Sequence, residues 1–118
     1  MLRTAFLFGG GISGAGHTCG ALLGAVTALS AVYGRSGPEE AENPRARQLG
    51  GRLVRRFEEL AAPHGGIRCQ DIARVDWTDA ATVQQFRTDP GSRRQHCVQI
   101  VGDIAESLGV LLEEPAAA

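Results

Sequence analysis

Three cysteines are the side chains of this sequence that are best suited to chemistry. Cys19, Cys69 and Cys97 are far apart in the chain, and their spacing matches no local zinc or iron–sulfur motif. A shared site would therefore have to be assembled by folding. Each cysteine falls near a predicted helix start, where free N–H groups stabilise a thiolate. The pattern predicts a thiol-based redox site or a metal site at Cys19, Cys69 and Cys97, with zinc or an iron–sulfur cluster as the cofactor.

Other polar residues near the cysteines allow more than one interpretation. His17 and His96 each lie within two residues of a cysteine and can supply nitrogen ligands, or can be exposed residues at helix starts. His64 lies in a Pro-His-Gly-Gly turn and receives no role. Trp77 is interpreted as a core or lid aromatic. Three acidic residues are interpreted as helix caps and surface groups: Asp71, Asp76 and Asp79.

The cysteines can also be purely structural, because cysteine often packs in cores as a small hydrophobic residue. Cys97 fits the apolar stripe of its predicted helix. The second hypothesis is therefore a small, non-catalytic helical interaction subunit with core cysteines.

A glycine-rich segment, 9–16, precedes the first cysteine. Gly9, Gly11 and Gly14 satisfy the G-x-G-x-x-G pattern of dinucleotide-binding loops. No adequate strand precedes the pattern and no second β-unit follows it, so nucleotide binding is not predicted. The segment is expected to be a loop that passes close to other backbone.

Helical periodicity dominates the rest of the chain and predicts an all-α fold. The expected fold is a compact bundle of three main helices with short helices between residues 69 and 86 and a glycine-rich N-terminal loop. The three main helices are predicted at 17–34, 44–62 and 93–113. Residues 4–8 are expected to be either a strand or the tail of a helix. The whole chain, 1–118, is predicted to be one domain with a frayed tail at 113–118.

Local signals define the ends and faces of these helices. Thr18 is predicted as the N-cap of the first helix, and Asn43 with Pro44 as the start of the second. Ser92 is predicted to cap the last helix. The first helix, which has no charged residue, is expected to be buried on most sides. The last helix carries an apolar stripe with 4-3-4-3 spacing: Cys97, Val101, Ile104, Leu108 and Leu111.

Composition excludes some classes of function. The 118 residues carry a formal net charge of −1, which gives no indication of nucleic-acid binding. An odd number of cysteines and the absence of a clear signal peptide favour a reducing compartment, and a cytoplasmic location is expected. Residues 4–34 have no charge except on His17. Their strongly apolar part, 21–33, is too short for a membrane span and suits a buried helix.

The cysteine pattern resembles the C-GCAxxG-C-C family of small proteins that are described as redox-active. The Cys-Gly-Ala-x-x-Gly box corresponds to residues 19–24, and the helix that follows ends at Tyr33-Gly34. Phe57-Glu58-Glu59 and then Cys69 match the next part of the family pattern. Cys97 matches the last cysteine, at the start of the final helix. The resemblance implies a redox role for these cysteines.

The start of the chain departs from this family. Members usually begin with another helix that carries a fourth cysteine, whereas here Met1 lies only seven residues before Phe8. We therefore expect either a start upstream of Met1 or self-association through the face of the first helix that carries Gly20 and Gly24. The expected partners are a second copy of the chain or a redox partner protein.

Overall fold

The fold is all-α, as the sequence predicts. A computed structural model describes residues 2–115, and its three long helices pack on one another. The predicted bundle and the predicted positions of its long helices are confirmed to within three residues at each end. The helices are α1 (Leu2–Ala5), α2 (Gly20–Tyr33), α3 (Pro44–Ala61), α4 (Cys69–Ile72), α5 (Ala80–Thr88) and α6 (Arg94–Glu113), with 3₁₀ turns at Phe6–Phe8 and Ala62–His64.

The helix starts follow local chemistry, with two corrections. Asn43 caps α3 as predicted, because its side chain accepts a hydrogen bond from the backbone N–H of Arg45 at 3.0 Å. The N-cap of α2 is Cys19 and not Thr18, since Thr18 pairs with Arg68 in an isolated β-bridge. The N-cap of α6 is Arg93 rather than the neighbouring serine.

The core lies between α2, α3 and α6. Its completely or almost completely buried side chains include Leu29, Leu53, Phe57 and Ile104. A fully buried leucine or phenylalanine contributes about 1.5–3 kcal/mol through removal of apolar surface from water. These contacts therefore hold the three long helices in fixed relative positions.

The apolar stripe of α6 is rotated from the predicted one. Ile100, Ile104 and Leu111 are buried, whereas Val101, which was predicted to face the core, is 51% exposed. The reason is that α6 packs against both α2 and α3, so the buried arc centres on Ile104 and leaves Val101 at its edge. Apolar surface on α6 therefore continues beyond the part that the bundle buries.

A second, smaller apolar cluster forms beside the bundle around α4 and α5. Cys69, Ala73 and Val75 are its buried members, and the partly buried Trp77 and Phe86 pack against them. Their rings meet edge to face with centroids 5.5 Å apart. Cys97 contacts both this cluster and the main core, and so lies where the two meet.

The two ends of the chain differ from expectation. Residues 2–8 are helical, which confirms the helix-tail alternative over a strand. Glu114, predicted to fray, is held by Arg52 through two hydrogen bonds of 2.7 Å, and Arg45 donates to the backbone carbonyls of Glu114 and Pro115. The predicted fraying at 116–118 lies outside the described residues. None of the helices within residues 2–115 combines the length and apolar character needed to cross a membrane.

Candidate thiol site

A short backbone link joins the segments that carry the first two cysteines. The N–H of Cys19 donates to the carbonyl of Ile67 at 2.9 Å, and the N–H of Cys69 donates to the carbonyl of His17 at 2.6 Å. These two bonds flank the antiparallel bridge between Thr18 and Arg68. The link fixes the start of α2 against the start of α4.

Antiparallel pairing then determines which side chains share a face. Cys19 lies opposite Ile67, and side chains two residues apart on a strand point to the same side, so Cys19 and Cys69 share a face. They are diagonal neighbours, whose Cα atoms lie roughly 7–8 Å apart in such pairs. Disulfides usually join Cα atoms about 4.4–6.8 Å apart. At the diagonal spacing, a disulfide between Cys19 and Cys69 would require the backbone of the link to move closer together.

Cys97 approaches the same place from α6. It is half-buried in the first turn of that helix and packs against both apolar clusters. Burial raises the pKa of the Cys97 thiol to about 11, and negative charge on Cys19 and Cys69 adds to that rise. Negative charge on one of these sulfurs therefore disfavours negative charge on the others.

Cys19 sits in two opposing environments. Cys19 is the N-cap of α2, and the nearby backbone N–H groups of Ala21 and Leu22 lower the pKa of its thiol. Burial is the larger effect, and Cys69 adds to it, so the pKa of the Cys19 thiol is raised overall. The thiolate stabilisation expected from the helix N-terminus is present, but burial outweighs it. All three cysteines are free thiols.

Cys69 is the most enclosed of the three, with 8% of its surface exposed. The indole Nε1 of Trp77 donates a hydrogen bond to its Sγ at 3.4 Å. The sequence marked Trp77 only as a core or lid aromatic. Residue type and position gave no sign that its N–H would meet a sulfur, so its contact with the site was missed.

The glycine-rich segment forms the wall behind Cys69. Backbone φ angles are positive at every residue from 10 to 14, which is one left-handed turn. An L-residue pays about 1–2 kcal/mol to adopt such a conformation, so Ile12 and Ser13 are strained. At Gly11 an added Cβ would lie 2.6 Å from both the Cβ of Cys69 and the carbonyl oxygen of His17. The prediction of a loop that approaches other backbone closely is confirmed.

The histidines do not gather around the thiols as ligands. The side chain of His17 is exposed, and its role in the site is the backbone carbonyl that receives the Cys69 N–H. The ring of His96 packs on His64, with centroids 5.0 Å apart. His64, to which no role was given, also accepts a hydrogen bond at Nδ1 from the guanidinium of Arg93 at 3.1 Å.

The acidic residues near the site serve as caps, as predicted. Asp71 accepts from the backbone N–H and the guanidinium of Arg68 at the start of α4, and Asp79 caps α5 by accepting from the N–H of Ala81 at 3.1 Å. Asp76 accepts from Thr78. These carboxylates therefore stabilise the starts of short helices and turns, and their oxygens accept hydrogen bonds from those local groups.

No metal-binding arrangement is formed by the side chains of residues 2–115, since no group of three or more His, Cys, Asp or Glu residues there is suited to hold an ion. The metal hypothesis stays a prediction, and no reaction step is assigned to a metal.

Comparison with known proteins identifies the family. Residues 1–111 match the model of the family described as "Putative redox-active protein (C_GCAxxG_C_C)". No curated protein and no solved structure matches the chain. The match spans nearly the whole sequence and includes all three cysteines. The chain therefore belongs to the C_GCAxxG_C_C family, and the resemblance seen in its cysteine pattern is confirmed.

Proposed function

We propose that this protein transfers electrons by thiol–disulfide exchange between Cys19 and Cys69 and a disulfide on a redox partner. The observation that carries the proposal is the backbone link between residues 17–19 and 67–69, which presents Cys19 and Cys69 on one face. Structural cysteines need no such pairing, whereas a dithiol requires it. The family description as redox-active supports the same reading.

Accessibility assigns a different role to each of the two thiols. Cys19 is half-buried at the start of α2 and is more exposed than Cys69, so it is the sulfur of the two that an external disulfide can reach. Cys69 is buried, and its Sγ accepts a hydrogen bond from the indole N–H of Trp77. Cys19 is therefore proposed as the attacking thiol and Cys69 as the resolving thiol.

The exchange proceeds in two balanced steps. The Cys19 thiolate attacks one sulfur of the partner disulfide, so that a mixed disulfide forms and one partner thiolate leaves. The Cys69 thiolate then attacks the Cys19 sulfur, which forms the Cys19–Cys69 bond and releases the second partner thiolate. Two electrons pass from the protein dithiol to the partner. The two protons lost from Cys19 and Cys69 are taken up by the released thiolates.

Oxidation of the purified protein with glutathione disulfide tests this proposal. The expected product is a Cys19–Cys69 disulfide, found by peptide mapping and reversed by dithiothreitol. Cys69→Ser should stop at the glutathione adduct on Cys19, and Cys97→Ser should still form the disulfide. Failure of the unaltered protein to form a Cys19–Cys69 bond, with all three thiols intact, would overturn the proposal.

The metal alternative is tested in the same preparation. Anaerobically purified protein is analysed for iron, sulfide and zinc before oxidation. Stoichiometric metal that is lost in Cys19→Ser would favour a metal site over thiol exchange. Metal-free protein that forms the reversible disulfide would favour thiol exchange.

A second candidate function rests on the packing of Cys19 and Cys97 against the main core. In this reading the chain is a non-catalytic interaction subunit, and its cysteines contribute only to stability. Serine in place of each cysteine would then lower stability to a similar extent at all three positions, with no change in redox behaviour. Loss of the reversible disulfide in Cys19→Ser at near-normal stability would exclude this reading.

A further inference from the structure

Helix α6 carries more apolar surface than the bundle buries. Ile100, Ile104 and Leu111 point into the core, while Val98 and Val101 are 58% and 51% exposed. Single exposed apolar residues are ordinary, but a contiguous set on one helix indicates a binding surface.

The exposed part of α6 is regular. Five residues follow each other at steps of three and four, which is the spacing of helices that pair side by side. They are the exposed Val98, Val101, Ala105 and Leu112 and the half-buried Leu108. Gly102 and Gly109 lie next to this stripe, and a Cβ added at either one meets no described atom within 4 Å. The absence of side chains there leaves room for the backbone of a second helix to approach.

Helix α2 continues the same surface. A groove of about 260 Å³ runs between α2 and α6, and it is lined by glycine, alanine, valine, isoleucine and leucine residues only. Gly24 of α2 opens onto it, since an added Cβ there also meets no described atom within 4 Å. All fourteen residues of α2 are uncharged. We call this surface, formed by α2 and the α6 stripe, the α2–α6 face.

We propose that a second copy of this chain covers the α2–α6 face, with α6 of each copy lying in the α2–α6 groove of the other. The face offers no charge for an acidic or basic partner to recognise within residues 20–33 or along the α6 stripe. A two-fold dimer needs one surface that is complementary to itself. A 3-4 apolar stripe flanked by glycines meets that requirement, because each stripe fits beside its copy.

The size of the face agrees with a weak dimer. The fourteen residues of α2 give a length of about 21 Å, the α6 stripe from Val98 to Leu112 is of similar length, and two adjacent helices give a width of roughly 20 Å. The resulting area of roughly 400 Å² is about half of the ~800 Å² that each partner buries in a standard interface. We therefore expect a weak dimer that is populated at tens of micromolar.

The chain provides a matched pair of valines for the test. Val101 lies on the α2–α6 face, and Val110 lies on the opposite flank of the same helix with 56% of its surface exposed. Light scattering coupled to size exclusion at tens of micromolar is applied to wild type, Val101→Glu and Val110→Glu. We expect dimers for wild type and Val110→Glu, and a monomer or at least a tenfold weaker dimer for Val101→Glu.

Three results would overturn the proposal. They are a monomeric wild type, equal dissociation by the two glutamates, and a Val101→Glu variant that remains a dimer. Circular dichroism checks that each variant is folded. If Val101→Glu does not fold, Ala105→Glu takes its place, because Ala105 lies on the same face and is already exposed. A dimeric Ala105→Glu would then contradict the proposal.

Discussion

The indole N–H of Trp77 points at the sulfur of Cys69, with 3.4 Å between Nε1 and Sγ. An N–H donor stabilises a thiolate more than a thiol. Trp77→Phe retains an aromatic ring against Phe86 but removes the donor. We expect the glutathione adduct on Cys19 to persist about fivefold longer in this variant, because loss of a hydrogen bond worth ~1 kcal/mol slows attack by Cys69.

The control for this prediction is Phe86→Leu. Phe86 packs on the edge of Trp77 without a polar contact to the sulfur, so its replacement tests packing alone. Quenched time points analysed by mass spectrometry measure the adduct. An equal delay in both variants would show that Trp77 acts through packing and not through its N–H.

Cys97 is expected to be the least reactive thiol at neutral pH. Its pKa of about 11 leaves almost all of it protonated at pH 7, and only the thiolate reacts with alkylating reagents. We expect Cys97 to be modified slowly at pH 7 and about tenfold faster for each unit of pH up to pH 10. Iodoacetamide labelling of the reduced protein with peptide mapping measures this. Rapid labelling of Cys97 at pH 7 would contradict the burial that raises its pKa.

The same raised pKa predicts how stability changes in alkali. Folded Cys97 holds its proton to about pH 11, whereas in the unfolded chain it releases it near pH 9. This contribution to stability is complete below pH 9 and is lost as pH rises towards 11. Thermal unfolding of wild type should therefore lose stability over this window more steeply than unfolding of Cys97→Ala. If wild type and Cys97→Ala lose the same stability between pH 9 and pH 11, the prediction is contradicted.

Local signals in the sequence were sufficient to predict most of the helix positions and buried residues of the bundle. The Asn43-Pro44 start of α3 and its apolar positions Leu49, Leu53 and Phe57 depend on neighbours three and four residues away, which a single sequence displays. The face of α6 was less predictable. Val101 and Ile100 are adjacent and equally apolar, and only packing against α2 and α3 together decides that Ile100 is buried.

The geometry of the thiol site was beyond local signals. The link between residues 17–19 and 67–69 consists of two backbone hydrogen bonds between distant segments, and such bonds leave no periodic pattern. The left-handed turn includes Ile12, a β-branched residue that disfavours positive φ, so residue type argued against it. The sequence therefore predicted which cysteines matter but not how the chain brings them together.

His64 should make stability sensitive to mild acid. Burial lowers the pKa of its imidazole, and positive charge on His96, Arg93 and Arg74 lowers it further. The unfolded chain then binds a proton near pH 6.5 more readily than the folded protein does. Stability from neutral His64 is present above pH 6.5 and is lost as pH falls through the lower pKa of the folded state.

Thermal unfolding at pH 7 and pH 5.5 tests the role of His64. We expect wild type to lose more stability over this interval than His64→Gln does. His17→Gln serves as the control, because the His17 side chain is exposed. If wild type, His64→Gln and His17→Gln all lose the same stability between pH 7 and pH 5.5, the lowered pKa of His64 does not contribute to the pH dependence of stability.

Alanine substitutions at two glycines, Gly11 and Gly50, distinguish the effect of backbone strain on stability from that of helix propensity. Gly11 has a φ of +70°, and a Cβ there would collide with Cys69 and with the carbonyl of His17. Gly11→Ala should therefore lower the free energy of unfolding by more than about 2 kcal/mol, since the left-handed conformation alone costs about 1–2 kcal/mol. The collision also pushes Cys69 away from the link, so the Cys19–Cys69 disulfide should form more slowly.

Gly50→Ala is the matched substitution. Gly50 lies inside α3, where an added Cβ meets no described atom within 4 Å, so alanine should stabilise the helix by up to about 1 kcal/mol. Chemical denaturation measures the free energy of unfolding of both variants, and peptide mapping follows disulfide formation. Opposite signs of the stability change are expected, with slower disulfide formation in Gly11→Ala alone. A Gly11→Ala protein as stable as wild type would show that the glycine-rich segment does not press against Cys69.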